Sequence, residues 1–321
     1  MSMDKHWRGM ARAGLSLLLI VALLTPTVAV AGGKGPAGGR VPPWSAIKTV
    51  QELSGLPAEA RLERLRSDPQ FAAALRLLES PEFQSQLQKA WESPQFRAQV
   101  RQTYTSLRQA MPALAGETVA LDEPLPNSLQ LPDEGALGNN CDFSLAKHGY
   151  ILVSYNLMFG FFPVFWAKNW GHAGFMNNYA TGECFEARFD GVQVRRNLAD
   201  WQAADHAGVY KLKTDAGDAI AARAYNFAFN QYNGKPYNFN WLDMHRQDAA
   251  YCSQLVWYGY NEAGKNLDAN SLEYWLFLYS VVDGILHNAP LSAALATVIM
   301  FIVVAPDELT MSSLVQEVSR D

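Results

Sequence analysis

Tyr251-Cys252-Ser253-Gln254-Leu255-Val256-Trp257 places a cysteine where a polar loop enters a helix. The helix is read over Cys252 to Ala263, with Leu255, Val256 and Tyr260 as its buried stripe. Backbone N–H groups and the helix dipole at such a start favour a thiolate. The same N–H groups can hold a developing oxyanion. By residue type alone, a buried structural cysteine is the stronger reading of Cys252. A catalytic reading therefore requires a base.

The candidate base lies upstream, in Trp170-Gly171-His172-Ala173-Gly174-Phe175. His172 opens a predicted strand, and Gly171 and Gly174 leave room for a close neighbour. An imidazole can take the thiol proton and return it to a leaving group. A third polar residue should orient the ring. Glu186, in Cys184-Phe185-Glu186-Ala187, lies on the next predicted strand, where pairing would bring it beside His172. Taken singly, His172 also reads as a structural histidine and Glu186 as a surface carboxylate.

Around these residues the pattern is α+β. Ile151 to Tyr155, Ala173 to Met176, Glu183 to Phe189 and Val209 to Leu212 read as short strands. Asp218 to Gln231 reads as a helix, followed by the Cys252 helix and a late strand. This region runs from residue 140 to 321. Two apolar stretches, Phe159 to Trp166 and Tyr274 to Val304, raise the question of membrane contact. Asp283, His287, Asn288 and Pro290 interrupt the second, and Leu291 to Val304 is short for a membrane span. Buried core is the reading adopted; the alternative is an apolar patch that meets lipid or a fatty substrate.

Upstream, residues 1–31 read as a secretory signal: Lys5, Arg8 and Arg12 precede an apolar run from Ala13 to Leu24 and an Ala29-Val30-Ala31 cleavage site. The expected address is periplasmic or extracellular. Residues 32–43 are Gly- and Pro-rich and read as a linker. Residues 44–115 read as helical, with the repeated units Ser67-Asp68-Pro69-Gln70-Phe71, Ser80-Pro81-Glu82-Phe83 and Ser93-Pro94-Gln95-Phe96. Ser or Asp can cap each unit, and Pro suits the first turn. Three helices of about three turns are expected, with Phe83, Leu87 and Trp91 on one face. The region is a small bundle packed on the main domain, a pro-region, or a partner-binding module. Residues 116–139, with Pro124, Pro126 and Pro132, read as a second linker.

Composition narrows the function. The chain has 321 residues, 49% hydrophobic and 18% charged, with a formal charge of −5. The apolar fraction supports a packed core, and mild acidity argues against nucleic acid as a partner. Three cysteines exclude a disulfide-dense scaffold. After export Cys141 and Cys184 could pair, leaving Cys252 free. There is no G-x-S-x-G elbow, H-E-x-x-H, Walker A or C-x-x-C. The six histidines form no metal box, so no metal or cofactor is expected.

Six pieces in order carry a resemblance: Gly149-Tyr150-Ile151-Leu152, Gly171-His172-Ala173-Gly174, Phe185-Glu186-Ala187, Gly234-Lys235-Pro236-Tyr237-Asn238, Tyr251 to Trp257, and Ala305-Pro306-Asp307-Glu308-Leu309. Over roughly residues 147 to 312, the chain resembles the circularly permuted branch of the NlpC/P60 papain-like superfamily, the YiiX/YycO-like hydrolases. The resemblance implies a papain-like domain with a small antiparallel sheet and packed helices. It implies a thiol hydrolase with Cys252 as nucleophile, His172 as base and Glu186 as orienting residue. Tyr251, Ser253 and Tyr237 are candidates for the oxyanion and substrate site. Tyr150 departs from the pattern, which has Asp there. The substrate classes implied are a cell-wall peptide amide, because many relatives act there, and a lipid amide, suggested by the apolar stretches. Peripheral membrane contact goes with the second. The competing class is a non-catalytic envelope adaptor with a degenerate papain-like domain.

Overall fold

The computed structural model describes residues 41–115, 139–155 and 170–320. The expected leader, most of both linkers and the aromatic run Phe159 to Trp166 lie outside these residues.

Helices α1 (Trp44–Ser54), α2 (Ala58–Ser67), α3 (Pro69–Leu78), α4 (Pro81–Glu92) and α5 (Pro94–Ala115) come first. The repeated units start α3, α4 and α5. The Asp68 carboxylate accepts from the Gln70 N–H at 2.9 Å, Ser80 Oγ from the Phe83 N–H at 3.3 Å, and Ser93 Oγ from the Phe96 N–H at 3.4 Å. Pro69, Pro81 and Pro94 take the first helical position, where no N–H is needed. The expectation of three short helices is corrected. Two further helices precede the repeats, and α5 runs for 22 residues. The Ser-Pro signal marks a start only, and from Gln95 to Ala110 no Gly or Pro stops the last helix. Phe83 and Leu87 are buried together; the side chain of Trp91 is outside the described set.

The remainder is α+β. Strands β1 (Ile151–Tyr155), β2 (His172–Asn178), β3 (Glu183–Arg188), β4 (Gly191–Arg196), β5 (His206–Leu212) and β6 (Val315–Arg320) form one sheet in the order β4-β3-β2-β1-β5-β6. All its pairings are antiparallel. Strand β1 lies inside the sheet and is buried at every position, as its unbroken apolar run implies. A short helix α6 (Leu198–Gln202) links β4 to β5. Helices α7 (Gly217–Tyr232) and α8 (Cys252–Glu262) pack on each other, α8 also on β2 and β3 and α7 on β5. Gly259 permits that pairing: a Cβ there would stand 2.4 Å from the Ala224 carbonyl oxygen. Tyr150, where the resemblance has Asp, donates its hydroxyl to Asp218 at 2.6 Å and ties the first strand to the start of α7.

Helices α9 (Leu272–Leu286) and α10 (Ala289–Ile302) pair with each other, and α11 (Pro306–Met311) precedes β6. Tyr274 to Asp283 and Ser292 to Ile302 are buried without interruption. Helices apolar on every face belong inside, and α1, α2, α3 and α5 supply the cover. Polar groups here are matched: Trp275 Nε1 donates to Thr297 Oγ1 at 2.9 Å, and Tyr104 donates to Glu273 at 2.8 Å. The 274–304 stretch is therefore core. Among the described residues no helix is long and apolar enough to cross a membrane.

The proposed Cys141–Cys184 disulfide is absent; all three cysteines are free. Cys184 lies on β3, whereas Cys141 Sγ faces the Ser319 carbonyl on β6. Four strand spacings separate β3 from β6, roughly 19 Å at about 4.8 Å each, far beyond disulfide reach. Unfolding the protein without reductant should expose three titratable thiols; two fewer would place a disulfide in the chain. Gly259→Val should cost about 1–3 kcal/mol by overpacking α7 against α8. An unchanged urea midpoint would contradict that contact.

Candidate active site

His172 is the first residue of β2 and is almost fully buried. Its backbone entry is pinned by neighbours. The Gly171 N–H donates to the Ser154 carbonyl at 3.0 Å, and the Trp170 N–H reaches Asp307 at 3.4 Å. Antiparallel pairing sets Gly174 opposite Glu186. Alternation then puts Glu186 on the same sheet face as Gly174 and His172. His172 Nε2 meets Glu186 Oε2 at 2.6 Å. Gly174 is needed for space: a Cβ would lie 3.2 Å from Glu186 Cβ and 3.2 Å from Trp201 Cζ2. The Trp201 indole stacks on the His172 ring, with centroids 4.9 Å apart and planes at 28°.

Glu186 has no exposed surface. A carboxylate there needs partners, since desolvation strongly disfavours its charge. It has four. Besides His172, its Oε1 meets Arg188 Nε at 2.9 Å and Arg195 Nε at 3.7 Å, and accepts from the Asn197 amide. Burial pushes the Glu186 pKa up, but His172, Arg188 and Asn197 outweigh it, and the group stays ionised with a lowered pKa. Arg188 is itself held by Asp200 at 3.0 Å, and Arg195 by Asp190. Sequence reasoning missed Arg188, Arg195, Asn197 and Trp201. Part of the signal was present. Arg188 is two residues from Glu186, on the same face, and Asp190-Gly191 marks the hairpin turn that returns Arg195. Trp201 comes from a helix whose placement no local pattern states.

Cys252 is the first residue of α8 and is buried. Gln254 builds its surroundings. Gln254 Oε1 accepts from the Tyr251 N–H at 3.1 Å and from Asn238 at 3.0 Å, while Nε2 donates to the Met244 and Arg246 carbonyls. One amide thus caps the helix and anchors the preceding loop. A bridge from Tyr237 to Ala250 sets Tyr237 alongside. Burial raises the Tyr237 pKa well above its ordinary value, and the charge of Cys252 adds to the rise.

The structure gathers Cys252, His172, Glu186 and Tyr237. Burial alone would lower the pKa of His172. Hydrogen bonding by Cys252 and Glu186, with their charges, outweighs it and raises the value to about 9. The side chains of Tyr251 and Ser253 are engaged elsewhere. The Tyr251 hydroxyl accepts from the Val304 N–H at 3.1 Å, and Ser253 Oγ donates to the Val304 carbonyl at 2.7 Å. They fasten α8 to the residues after α10. Among the described residues, no group of three or more His, Cys, Asp and Glu side chains is placed to hold a metal ion.

Residues 147–279 match a family described as permuted papain-like amidase enzyme, YaeF/YiiX, C92 family. That segment contains β1 to β5, α7 and α8, and with them Cys252, His172, Glu186 and Tyr237. Over that segment the chain is similar to a family of permuted papain-like amidases. No curated protein and no solved structure matches the chain.

The His172 linkage has a definite sign. Its folded pKa of about 9 lies above the ordinary 6.5. The stabilisation it confers is complete below about 6.5 and is lost as pH rises through about 9. NMR titration of the His172 ring should show a midpoint near 9 that moves down in Glu186→Gln. A midpoint near 6.5 in the native protein would contradict the arrangement.

Proposed function

We propose that the protein is an exported cysteine hydrolase that cleaves an amide bond through Cys252, His172 and Glu186. The observation that carries the reading is the buried His172, held by Glu186 at 2.6 Å on Nε2, with Cys252 at the start of α8 close enough to raise its pKa. Export rests on the basic and apolar pattern of residues 1–31.

In this mechanism the Cys252 thiol gives its proton to His172, whose elevated pKa favours the imidazolium. The thiolate sulfur attacks the amide carbonyl, and the oxygen takes the negative charge. Backbone N–H groups of Cys252 and Ser253, in the first turn of α8, have no intrahelical acceptor and face that charge. Collapse of the intermediate breaks the C–N bond, and the imidazolium delivers its proton to the leaving amine. An acyl thioester remains. Water, deprotonated by His172, attacks it and releases the acid and the thiol. Glu186 accepts no proton; it fixes the ring and stabilises its charge, while the arginines keep Glu186 ionised.

The test is alkylation of the folded protein with limiting iodoacetamide at about pH 6, below the pKa of an ordinary thiol. Peptide mapping should find Cys252 labelled ahead of Cys141 and Cys184. His172→Ala should slow that labelling at least tenfold. Amidase turnover should vanish in Cys252→Ala and fall roughly 100- to 10,000-fold in His172→Ala, with circular dichroism unchanged. Equal labelling of all three thiols, or labelling indifferent to His172, would remove the nucleophile assignment.

A further inference from the structure

Helix α6 has five residues, Leu198–Gln202. So short a helix is not stable by itself, and its position must come from its contacts. Three of those contacts converge on the His172–Glu186 pair. Trp201 is 1% exposed and stacks on the His172 ring, with centroids 4.9 Å apart. A buried indole usually pairs its N–H, yet Trp201 Nε1 has no hydrogen-bond partner among the described residues. The ring is placed for its face. Asn197 stands at the N-cap, where its side chain would ordinarily accept from the first turn. It makes no such bond and instead donates to Glu186 Oε1. Asp200 holds Arg188 at 3.0 Å, and Arg188 meets the same Glu186 oxygen at 2.9 Å.

The other end of α6 is held by Asn139. Asn139 Nδ2 donates to the carbonyls of Trp201 at 2.9 Å, Ala204 at 3.0 Å and Gln202 at 3.3 Å. The Asn139 N–H also donates to the Gln202 carbonyl, at 3.4 Å. Carbonyls at a helix C-terminus run out of intrahelical donors, and one amide serves them here. Asn139 Oδ1 accepts from the Cys141 N–H at 3.2 Å, which fixes the direction of the amide. All these bonds go to backbone, none to the reacting side chains. Asn139 also lies before residues 147–279, the segment that matches the amidase family.

We propose that Asn139 is a positioning residue: by clamping α6 it keeps the face of Trp201 on His172 and keeps Asn197 and Asp200 in place around Glu186. The proposal rests on the reading of Cys252, His172 and Glu186 as the reacting set and adds what holds the base in its charged form. An aromatic face attracts a cation, most strongly where both are desolvated. The other groups around the pair are Cys252 on α8, Arg188 on β3 and Arg195 on β4, while Asp307 on α11 reaches the Trp170 N–H two residues from His172. Trp201 adds to these without a charge or a hydrogen bond.

NMR titration of the His172 ring in the full chain tests it, with Cys252 alkylation by limiting iodoacetamide at about pH 6 alongside. Against a native midpoint near 9, Trp201→Leu should lower the midpoint by about half a unit to one unit, the value of one aromatic face on a buried cation. Trp201→Phe should restore most of that shift. Asn139→Asp keeps the shape and loses the amide donors. It should move the midpoint in the same direction and slow Cys252 labelling about three- to tenfold. The double variant should shift less than the sum of Asn139→Asp and Trp201→Leu, because the two share one contact. Tyr150→Phe removes a hydrogen bond at the start of α7 and should leave the midpoint where it is. A midpoint unmoved in folded Asn139→Asp would overturn the clamp, as would fully additive shifts or an equal shift in Tyr150→Phe. If Asn139→Asp does not fold, Asn139→Ser takes its place in the same comparison. A native midpoint near 6.5 with Cys252 unlabelled would remove the reacting set and the clamp with it. A native midpoint near 9 with unmoved variants would remove the clamp alone.

Discussion

Glu186 carries a negative charge in a place closed to water, and most of the site follows from keeping that charge there. A buried carboxylate left alone would protonate or unfold its surroundings. Here Arg188 and Arg195 approach one oxygen, and His172 takes the other at 2.6 Å. Both arginines and Asn197 come from the same hairpin and its exit, so the short turn at Asp190 and Gly191 is what brings the cations to the carboxylate. The charge then acts on His172 and, with Cys252, raises its pKa although burial opposes this. Trp201 and Gly174 complete the enclosure, one by stacking on the ring and the other by leaving room for it.

The second half of the site depends on a different device. Gln254 satisfies both of its amide ends on backbone and on Asn238, and so joins the start of α8 to the loop that carries Tyr237 and Phe239. Tyr251 and Ser253 clamp the same helix to Val304. The helix that presents Cys252 is therefore held at its first turn by the loop and by the chain leaving α10. This ties the reactive end of α8 to α9 and α10, and through them to the N-terminal helices.

Much of this was legible in the residues themselves. The Ser-Pro units announced three helix starts because capping and proline chemistry are local. Strands β1, β2, β3 and β5 overlap strands read from alternation and apolar runs, β4 was not read, and β1 and the Cys252 helix fall where they were expected. The order of a histidine strand, a glutamate strand and a cysteine helix carried the resemblance to permuted papain-like hydrolases, and residues 147–279 match that family. The length of α5 and the division of residues 44–67 into α1 and α2 were not visible, because no sharp signal marks where those helices stop or start.

Tertiary structure decided the remainder. Whether Cys141 could reach Cys184 depended on strand order, and the sheet sets them on opposite sides of β2, β1 and β5. Whether Tyr251, Ser253 or Tyr237 faced the reaction depended on what packed beside each. Val304 claims the first two, and the Ala250 bridge brings the third to Cys252. The sequence by itself determined the local elements and the chemical types available, because capping, alternation and side-chain chemistry act over a few residues. Only the fold could choose the partners of Glu186 and the clamp of Tyr251 and Ser253 on Val304, because those contacts arise from sheet register and helix packing rather than from local sequence.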